Sequence, residues 1–294
     1  MDIHTLNAFI QVAETGSFSL AADLLHITQP AVSKRIAMLE NQLGLRLIDR
    51  IGRRVALTEA GANLLPRAIT ILADIEDAKR SLTNLSGTIT GVLNMGISHH
   101  LGLHRLPPVL KRFSDLYPEV SLDIRFLASE TAYDEVLQGK TELALTTLAE
   151  EPVDKIKTQE VWPDPLYFVA ALDHPLAKKQ KVTLRDFAMY GAILPELNTF
   201  TGAMTKTLFE ENHVQLRVSM CTNYLETIHM MVSIGLGWSL LPLTLVDSKL
   251  KILEVEGVSL CRNLGAIYHR DRTLSNSAIA FLELLRSETD ESND

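Results

Sequence analysis

A chain of 294 residues has room for one large domain plus a small one, or for two medium ones. Its composition, 46% hydrophobic and 22% charged, is ordinary for a globular protein and excludes a disordered or fibrous chain. The net charge of −8 argues against a nucleic-acid partner only until its distribution is read. Residues 31–58 hold Lys34, Arg35, Arg46, Arg50, Arg53 and Arg54 against Glu40 and Asp49, a local +4, whereas from residue 59 onward 22 basic residues face 31 acidic ones. That pattern fits one local polyanion contact on a body that DNA repels.

Residues Met1 to Phe9 lack the basic-then-apolar order of a secretory leader. The longest apolar run, 230–246, is interrupted by Gly235, Gly237 and Pro242, so buried strand and turn are expected rather than a membrane span. Cys221 and Cys261 are too few for a disulfide framework. A cytoplasmic protein with no membrane partner is expected. The two cysteines fall in separate predicted strands and are expected to be reduced and partly buried rather than a redox pair.

Ile3, Leu6, Phe9, Ile10 and Val12 recur near helical spacing, which predicts a first helix over 3–14 ended by Gly16. Ser17 is the N-cap of a second, holding Leu20, Ala21, Ala22, Leu24 and Leu25; after a tight break at His26-Ile27, Thr28 caps a third, with Pro30 in its first turn. The third runs through Val32, Ile36, Leu39 and Leu43 to Gly44. Two short helices joined by a brief turn, the second opening polar and basic, make a helix-turn-helix. Its exposed start carries Gln29, Ser33 and Lys34: Gln bonds an adenine edge bidentately and Lys reaches guanine or phosphate. Residues 45–50 and 53–57 read as two short strands around Gly52, a wing with three arginines near its tip.

The run Ala21-Ala22-Asp23-Leu24-Leu25-His26-Ile27-Thr28-Gln29-Pro30-Ala31-Val32-Ser33-Lys34-Arg35-Ile36 is followed by Leu39-Glu40, Leu43-Gly44, Leu47, Arg50 and Leu57-Thr58-Glu59-Ala60-Gly61. Together they resemble the signature of LysR-type transcriptional regulators. The resemblance implies that Gln29, Pro30, Ser33 and Lys34 contact the operator and that Arg50, Arg53 and Arg54 support them from the wing. Lys34 stands where many members carry Arg, which keeps the charge and gives up bidentate geometry.

From Glu59, capped by Thr58, the residues Leu64, Ala68, Ile71, Ile75, Ala78, Leu82 and Leu85 alternate in steps of four and three. This apolar seam predicts a dimerising helix, with a helix lying on its own domain as the alternative. Residues 84–90, with Ser86 and Gly87, read as a hinge.

Beyond it, short strands alternate with helices, an α/β pattern. Strands are predicted at 92–97, 120–126, 143–148, 166–171, 192–194, 216–220 and 265–270, and helices over 101–116, 133–139, from 184, 225–234 and 277–286. Leu106-Pro107, Tyr117-Pro118, 139–144, His174-Pro175-Leu176-Ala177 and the 235–242 run resemble the effector domain of the same family, itself similar to periplasmic binding proteins. The fold expected is therefore α+β: a winged helix-turn-helix (1–58), a linker helix and hinge (59–90), and an effector domain (91–294). The resemblance implies two α/β lobes, lobe I from 91–162 and 268–294 and lobe II from 163–267, with the chain crossing near Trp162–Leu166 and Leu264–Arg270. A homodimer or homotetramer, an operator duplex and a small effector in the cleft are the implied partners.

In such lobes ligands sit beyond the carboxyl ends of strands, often on helix N-termini. Ser98, His99 and His100 follow the first strand, Ser129 and Thr131 the second, and Thr147 ends the third. Thr199, Thr201 and Asn223 take the matching loops of lobe II. Hydroxyls, amides and free backbone donors favour a small anion, a carboxylate or an inorganic oxyanion, though local capping competes for each Thr. His100 and His104, four apart beside His99, suggest a metal, but no Cys or carboxylate lies at local ligand spacing and none is expected. Gly96-Ile97-Ser98 begins a nucleophile elbow, yet His100 stands where that motif needs Gly. No catalytic residue or cofactor is expected. The alternative function, a small-molecule binding protein or an enzyme of α/β class without a DNA role, leaves the first 60 residues unexplained.

Overall fold

The structure, a computed structural model, describes residues 1–51 and 54–291, without the side chains of 50, 51, 54 and 288–291. Two compact units make up the chain: Met1–Gly87 with Gln138–Lys140 and Arg272–Leu274, and the remainder.

In the first unit three helices, α1 (Ile3–Thr15), α2 (Phe18–Leu24) and α3 (Gln29–Leu43), enclose Leu6, Phe9, Val12, Ala21, Ala22, Val32, Ile36 and Leu39. Local chemistry sets each end. Asp2 and Thr5 form a capping box, Gly16 ends α1 at φ 60°, and the Ser17 hydroxyl accepts the Leu20 N–H. Thr28 begins α3 without a side-chain cap bond, Pro30 in the first turn removing one donor that needs a partner. Strands β1 (Ile48–Ile51) and β2 (Arg54–Leu57) form the antiparallel wing, shorter than the predicted pair. Glu40 Oε1 accepts the Leu47 and Ile48 N–H groups at 2.8 and 3.2 Å and ties α3 to the wing's entry.

Helix α4 (Glu59–Asn84) starts on Thr58, whose hydroxyl accepts from Gly61 N–H. Gly61 must lack a side chain, because a Cβ there would lie 2.1 Å from the Leu47 carbonyl oxygen. The predicted seam divides. Leu64, Ala68 and Ile71 pack into the first unit's own core, whereas Ala78, Leu82 and Leu85 are exposed.

The second unit holds a nine-stranded sheet. Its first half comprises β3 (Gly91–Ser98), α5 (His99–His104), α6 (Pro107–Leu116), β4 (Val120–Leu127), α7 (Ser129–Gln138) and β5 (Leu143–Thr147), with β3 parallel to both β4 and β5. The single helix expected over 101–116 is two, because Pro107 and Pro108 cannot continue α5 and instead open α6. Strand β6 (Ile156–Ala171) runs sixteen residues through Pro163 and Pro165, where only its second part was expected as strand. Then follow α8 (Leu184–Phe187), β7 (Ala192–Leu194), α9 (Phe200–Glu211), β8 (Val218–Cys221), α10 (Leu225–Ser233), β9 (Trp238–Pro242), β10 (Leu250–Leu253), β11 (Leu260–His269) and α11 (Asn276–Glu291). Helix α9 and strand β10 have no counterpart in the sequence reading.

Residues 156–166 of β6 pair antiparallel with β11, and the two strands carry the sheet from one lobe to the other. Lobe I closes over Leu93, Met95, Ile97, Phe113 and Phe281. Lobe II closes around Trp238, whose indole N–H is shared by the Phe187 and Tyr190 carbonyls at 3.2 Å and whose ring stacks on Phe209. Among the described residues no helix is long and apolar enough to cross a membrane. Cys221 and Cys261 are both free and exposed, not partly buried: β8 and β11 turn them outward.

Candidate effector and DNA sites

The parallel strands β3, β5, β7 and β8 all end at one cavity of about 500 Å³ between the lobes. Of the residues expected there, Ser98, His99, His100, Ser129, Thr147, Thr199, Thr201 and Asn223 line it. Thr131 does not: α7 begins at Ser129, four residues earlier than expected, and Thr131 is exposed in its first turn. Thr199 and Thr201 are not in a loop but at the cap and first turn of α9.

Several of these groups already have partners. The Thr199 hydroxyl donates to Glu196 O (2.7 Å) and accepts from Gly202 N (3.1 Å), a helix cap. Asn223 Oδ1 accepts the Glu196 N–H at 3.0 Å, which turns its amide N–H groups to other acceptors. Ser129 Oγ accepts from Thr147 N across two strand ends.

The cavity also holds residues that sequence reasoning missed. Arg262, on β11 and 7% exposed, donates through Nε to Asp164 Oδ2 on β6 at 2.9 Å, its Nη2 forms an ion-pair contact with the same oxygen at 2.8 Å, and its Nη1 donates to Thr201 Oγ1 at 2.9 Å. Having accepted that bond, the Thr201 hydroxyl keeps its own hydrogen as a donor. Across the cleft, Glu130 Oε1 accepts the Phe200 N–H at 2.8 Å, so a carboxylate from lobe I lies on the N-terminus of α9 in lobe II. The N-terminus of α10 opens beside it with no side-chain cap, Tyr224 and Leu225 lining the wall. His99 fills one side, stacked on Phe126 (5.2 Å) and edge-on to Tyr224 (4.9 Å). His100 is buried, and that burial, reinforced by the Arg262 charge and by His104, pushes its pKa down to about 3. None of this was legible locally, since 98 residues separate Asp164 from Arg262 and 70 separate Glu130 from Phe200.

In the first unit the start of α3 presents Gln29, Pro30 and Lys34 to solvent, with Ser33 half-buried behind them. Gln29 Nε2 donates to Ser33 Oγ at 2.9 Å, one helical turn on, which holds the amide along the exposed face. The side chains of Arg50 and Arg54, and all of Arg53, lie outside the described residues.

Two family models match the chain: the bacterial regulatory helix-turn-helix protein, lysR family, over residues 3–62, and the LysR substrate binding domain over residues 86–290. The chain belongs to the LysR family. It is a DNA-binding transcriptional regulator with an effector-binding domain, not an enzyme. Among its relatives, the HTH-type transcriptional regulator YwqM of Bacillus subtilis is 31% identical over 97% of this chain and 99% of its own. An uncharacterized HTH-type regulator from the ibpB-leuC intergenic region of Azotobacter vinelandii is 65% identical over 108 residues, 37% of this chain and 75% of its own. In fold, the regulator is similar to full-length CbnR complexed with its target DNA, with a TM-score of 0.67 at 19% identity, covering 98% of this chain and all of that one.

Proposed function

We propose that the regulator reads an operator duplex with α3 and the wing, and that a small anion, a carboxylate or an inorganic oxyanion, controls it from the cleft. In this reading residues 1–58 bind DNA through Gln29, Pro30, Ser33, Lys34, Arg50, Arg53 and Arg54. Residues 59–90 join two copies and act as the hinge, and residues 91–294 hold the effector, in the cytoplasm. A dimer, alone or paired into a tetramer, presents two helix-turn-helix units to a two-fold operator.

One observation carries the anionic reading: the N-terminus of α9 already takes a carboxylate, that of Glu130, inside the cavity. Beside it stand the uncapped start of α10, the Thr201 hydroxyl and the free amide hydrogens of Asn223. Helix N-termini favour negative charge, and the Arg262 guanidinium adds to that field although Asp164 neutralises part of it. An effector anion arriving here competes with Glu130, and the exchange alters how the lobes are tied. Binding that favours one arrangement of the lobes shifts the regulator between states, which is the coupling an effector requires.

Calorimetric titration of the full chain tests this with small mono- and dicarboxylates, phosphate and sulfate, each organic acid set against its neutral amide. A saturable anion that its amide does not mimic is expected, weakened about tenfold or more by Thr201→Val and strengthened by Glu130→Gln. Amides binding as well as acids, or affinity untouched by both substitutions, would overturn it.

A further inference from the structure

One cluster, reaching the cavity wall only through His100, has no part in the anion site proposed above. His100 and His104 lie one turn apart on α5, and the fold brings Glu226, from the first turn of α10 in the other lobe, against both. Glu226 Oε1 is 3.0 Å from His104 Nε2 and 3.9 Å from His100 Nδ1, and all three candidate donor atoms lie within 4.8 Å of one another. Donors bound tetrahedrally at about 2.0–2.2 Å from one ion stand about 3.3 Å apart, so the observed pair distances bracket that value.

A second observation points the same way. His100 is 7% exposed, and its Nδ1 is buried without a hydrogen-bond partner. A buried ring nitrogen left unpaired carries the full penalty of its desolvation unless something fills the place. The opposite nitrogen, Nε2, lies 3.3 Å from the Thr244 hydroxyl. That arrangement is the one metal-bound histidines show: one nitrogen on the ion, the other bonded to an oxygen that sets the ring's orientation. His99, by contrast, is occupied by its aromatic neighbours and stays out of the cluster.

We infer that His100 Nδ1, His104 Nε2 and the Glu226 carboxylate form a site for a single divalent transition ion of the zinc class, clamping α5 of lobe I to α10 of lobe II. Two imidazoles and one carboxylate suit Zn²⁺ and its spectroscopic stand-in Co²⁺ better than Ca²⁺ or Mg²⁺, which prefer all-oxygen sets. Arg262 and Arg105 are the nearest opposing charges, and both pair with Asp164, which softens their repulsion of a cation. Three protein ligands leave a fourth position for water or for a donor atom of a cavity ligand. The site does not depend on the cavity taking an anion: His100, expected from sequence among the effector contacts, and Glu226, in the first turn of α10, serve the ion through their side chains.

The test uses the full chain without a polyhistidine tag, stripped with a chelator and titrated with Co²⁺, then Zn²⁺. Expected are one Co²⁺ per chain with the intense visible bands of tetrahedral coordination, displacement by Zn²⁺, and a thermal midpoint that rises with ion concentration. Glu226→Gln and His104→Ala should each weaken Co²⁺ binding at least tenfold. Glu226→Gln keeps the size and a hydrogen-bonding oxygen, so it decides the matter if His104→Ala fails to fold by circular dichroism. His229→Ala, which removes the pair formed with Asp247 at 3.3 Å, and the Cys221→Ser/Cys261→Ser double variant should leave binding unchanged. No stoichiometric uptake, uptake insensitive to Glu226→Gln, or uptake lost with the cysteines would overturn the site.

Discussion

Individual side chains decide the stability of the effector-binding unit in two ways. Trp238 is fully buried among Phe168, Phe187 and Phe209 and satisfies two carbonyls at once. Trp238→Ala opens a cavity and takes the indole donor from the Tyr190 carbonyl, while the Phe187 carbonyl keeps the Tyr190 N–H at 3.0 Å, so unfolding in urea should show a loss of about 3–5 kcal/mol, most of it from packing. Trp238→Phe keeps most of the ring and should lose distinctly less; equal losses would mean that packing is not what Trp238 supplies. His174 acts through pH. Its Nδ1 accepts the Leu176 N–H at 3.2 Å, its ring meets Tyr190, and burial lowers its pKa against the opposing pull of Asp173. The unfolded chain protonates this ring near about 6.5 while the folded chain resists, so the unfolded state binds more protons below that value. Stability is therefore full above about pH 6.5 and falls as the pH drops through it. His174→Asn, which still offers a cap oxygen, should flatten part of that fall in denaturation midpoints measured from pH 7 to 5. An unchanged slope would contradict the assignment.

At the scale of elements, the apolar stripe of α4 divides between core and surface. Its first turns supply Leu64, Ala68 and Ile71 to the core beneath the helix-turn-helix, and its last turns leave Leu82 and Leu85 at 69% and 82% exposure. Exposed leucines continuing a heptad stripe are what a second copy of the helix would cover. Leu82→Glu/Leu85→Glu should raise the dimer dissociation constant at least tenfold in sedimentation equilibrium while the helix-turn-helix keeps its thermal midpoint; an unaltered oligomer would sink the dimer role of α4. The contrast between units also explains what could be read in advance. Caps, the turn at His26-Ile27 and the periodicity of α1 to α3 are local, so Asp2 apart, each end was visible in neighbouring residues. The start of α7 was masked because Ser129 and Glu130 read as loop, which misplaced Thr131. Helix α9 was hidden by its polar, threonine-rich first turns, and the prolines at 163 and 165 disguised the middle of β6, where neither can donate to a ladder.

For the whole molecule, the positions of the strand ends were legible and the charges that meet there were not. Alternating strands and helices imply a crevice beyond the strand ends, which gathers Ser98, His100, Ser129, Thr147, Thr201 and Asn223 from across 126 residues. Arg262 with Asp164, Glu130 on α9 and Glu226 beside two histidines are juxtapositions made only by the tertiary fold. The +4 segment on a −8 chain was readable at once, because electrostatic partition needs only composition. The most direct test of the account is fluorescence anisotropy of the regulator on DNA from upstream of its own gene, against a scrambled duplex, at several salt concentrations. Binding should be specific and weaken steeply with salt; Lys34→Ala should weaken it on both duplexes and lower the salt slope by about 1, and Gln29→Ala should lose about 1–3 kcal/mol on the operator alone. Equal, feeble binding to both duplexes, unmoved by either substitution, would contradict α3 as the element that reads DNA.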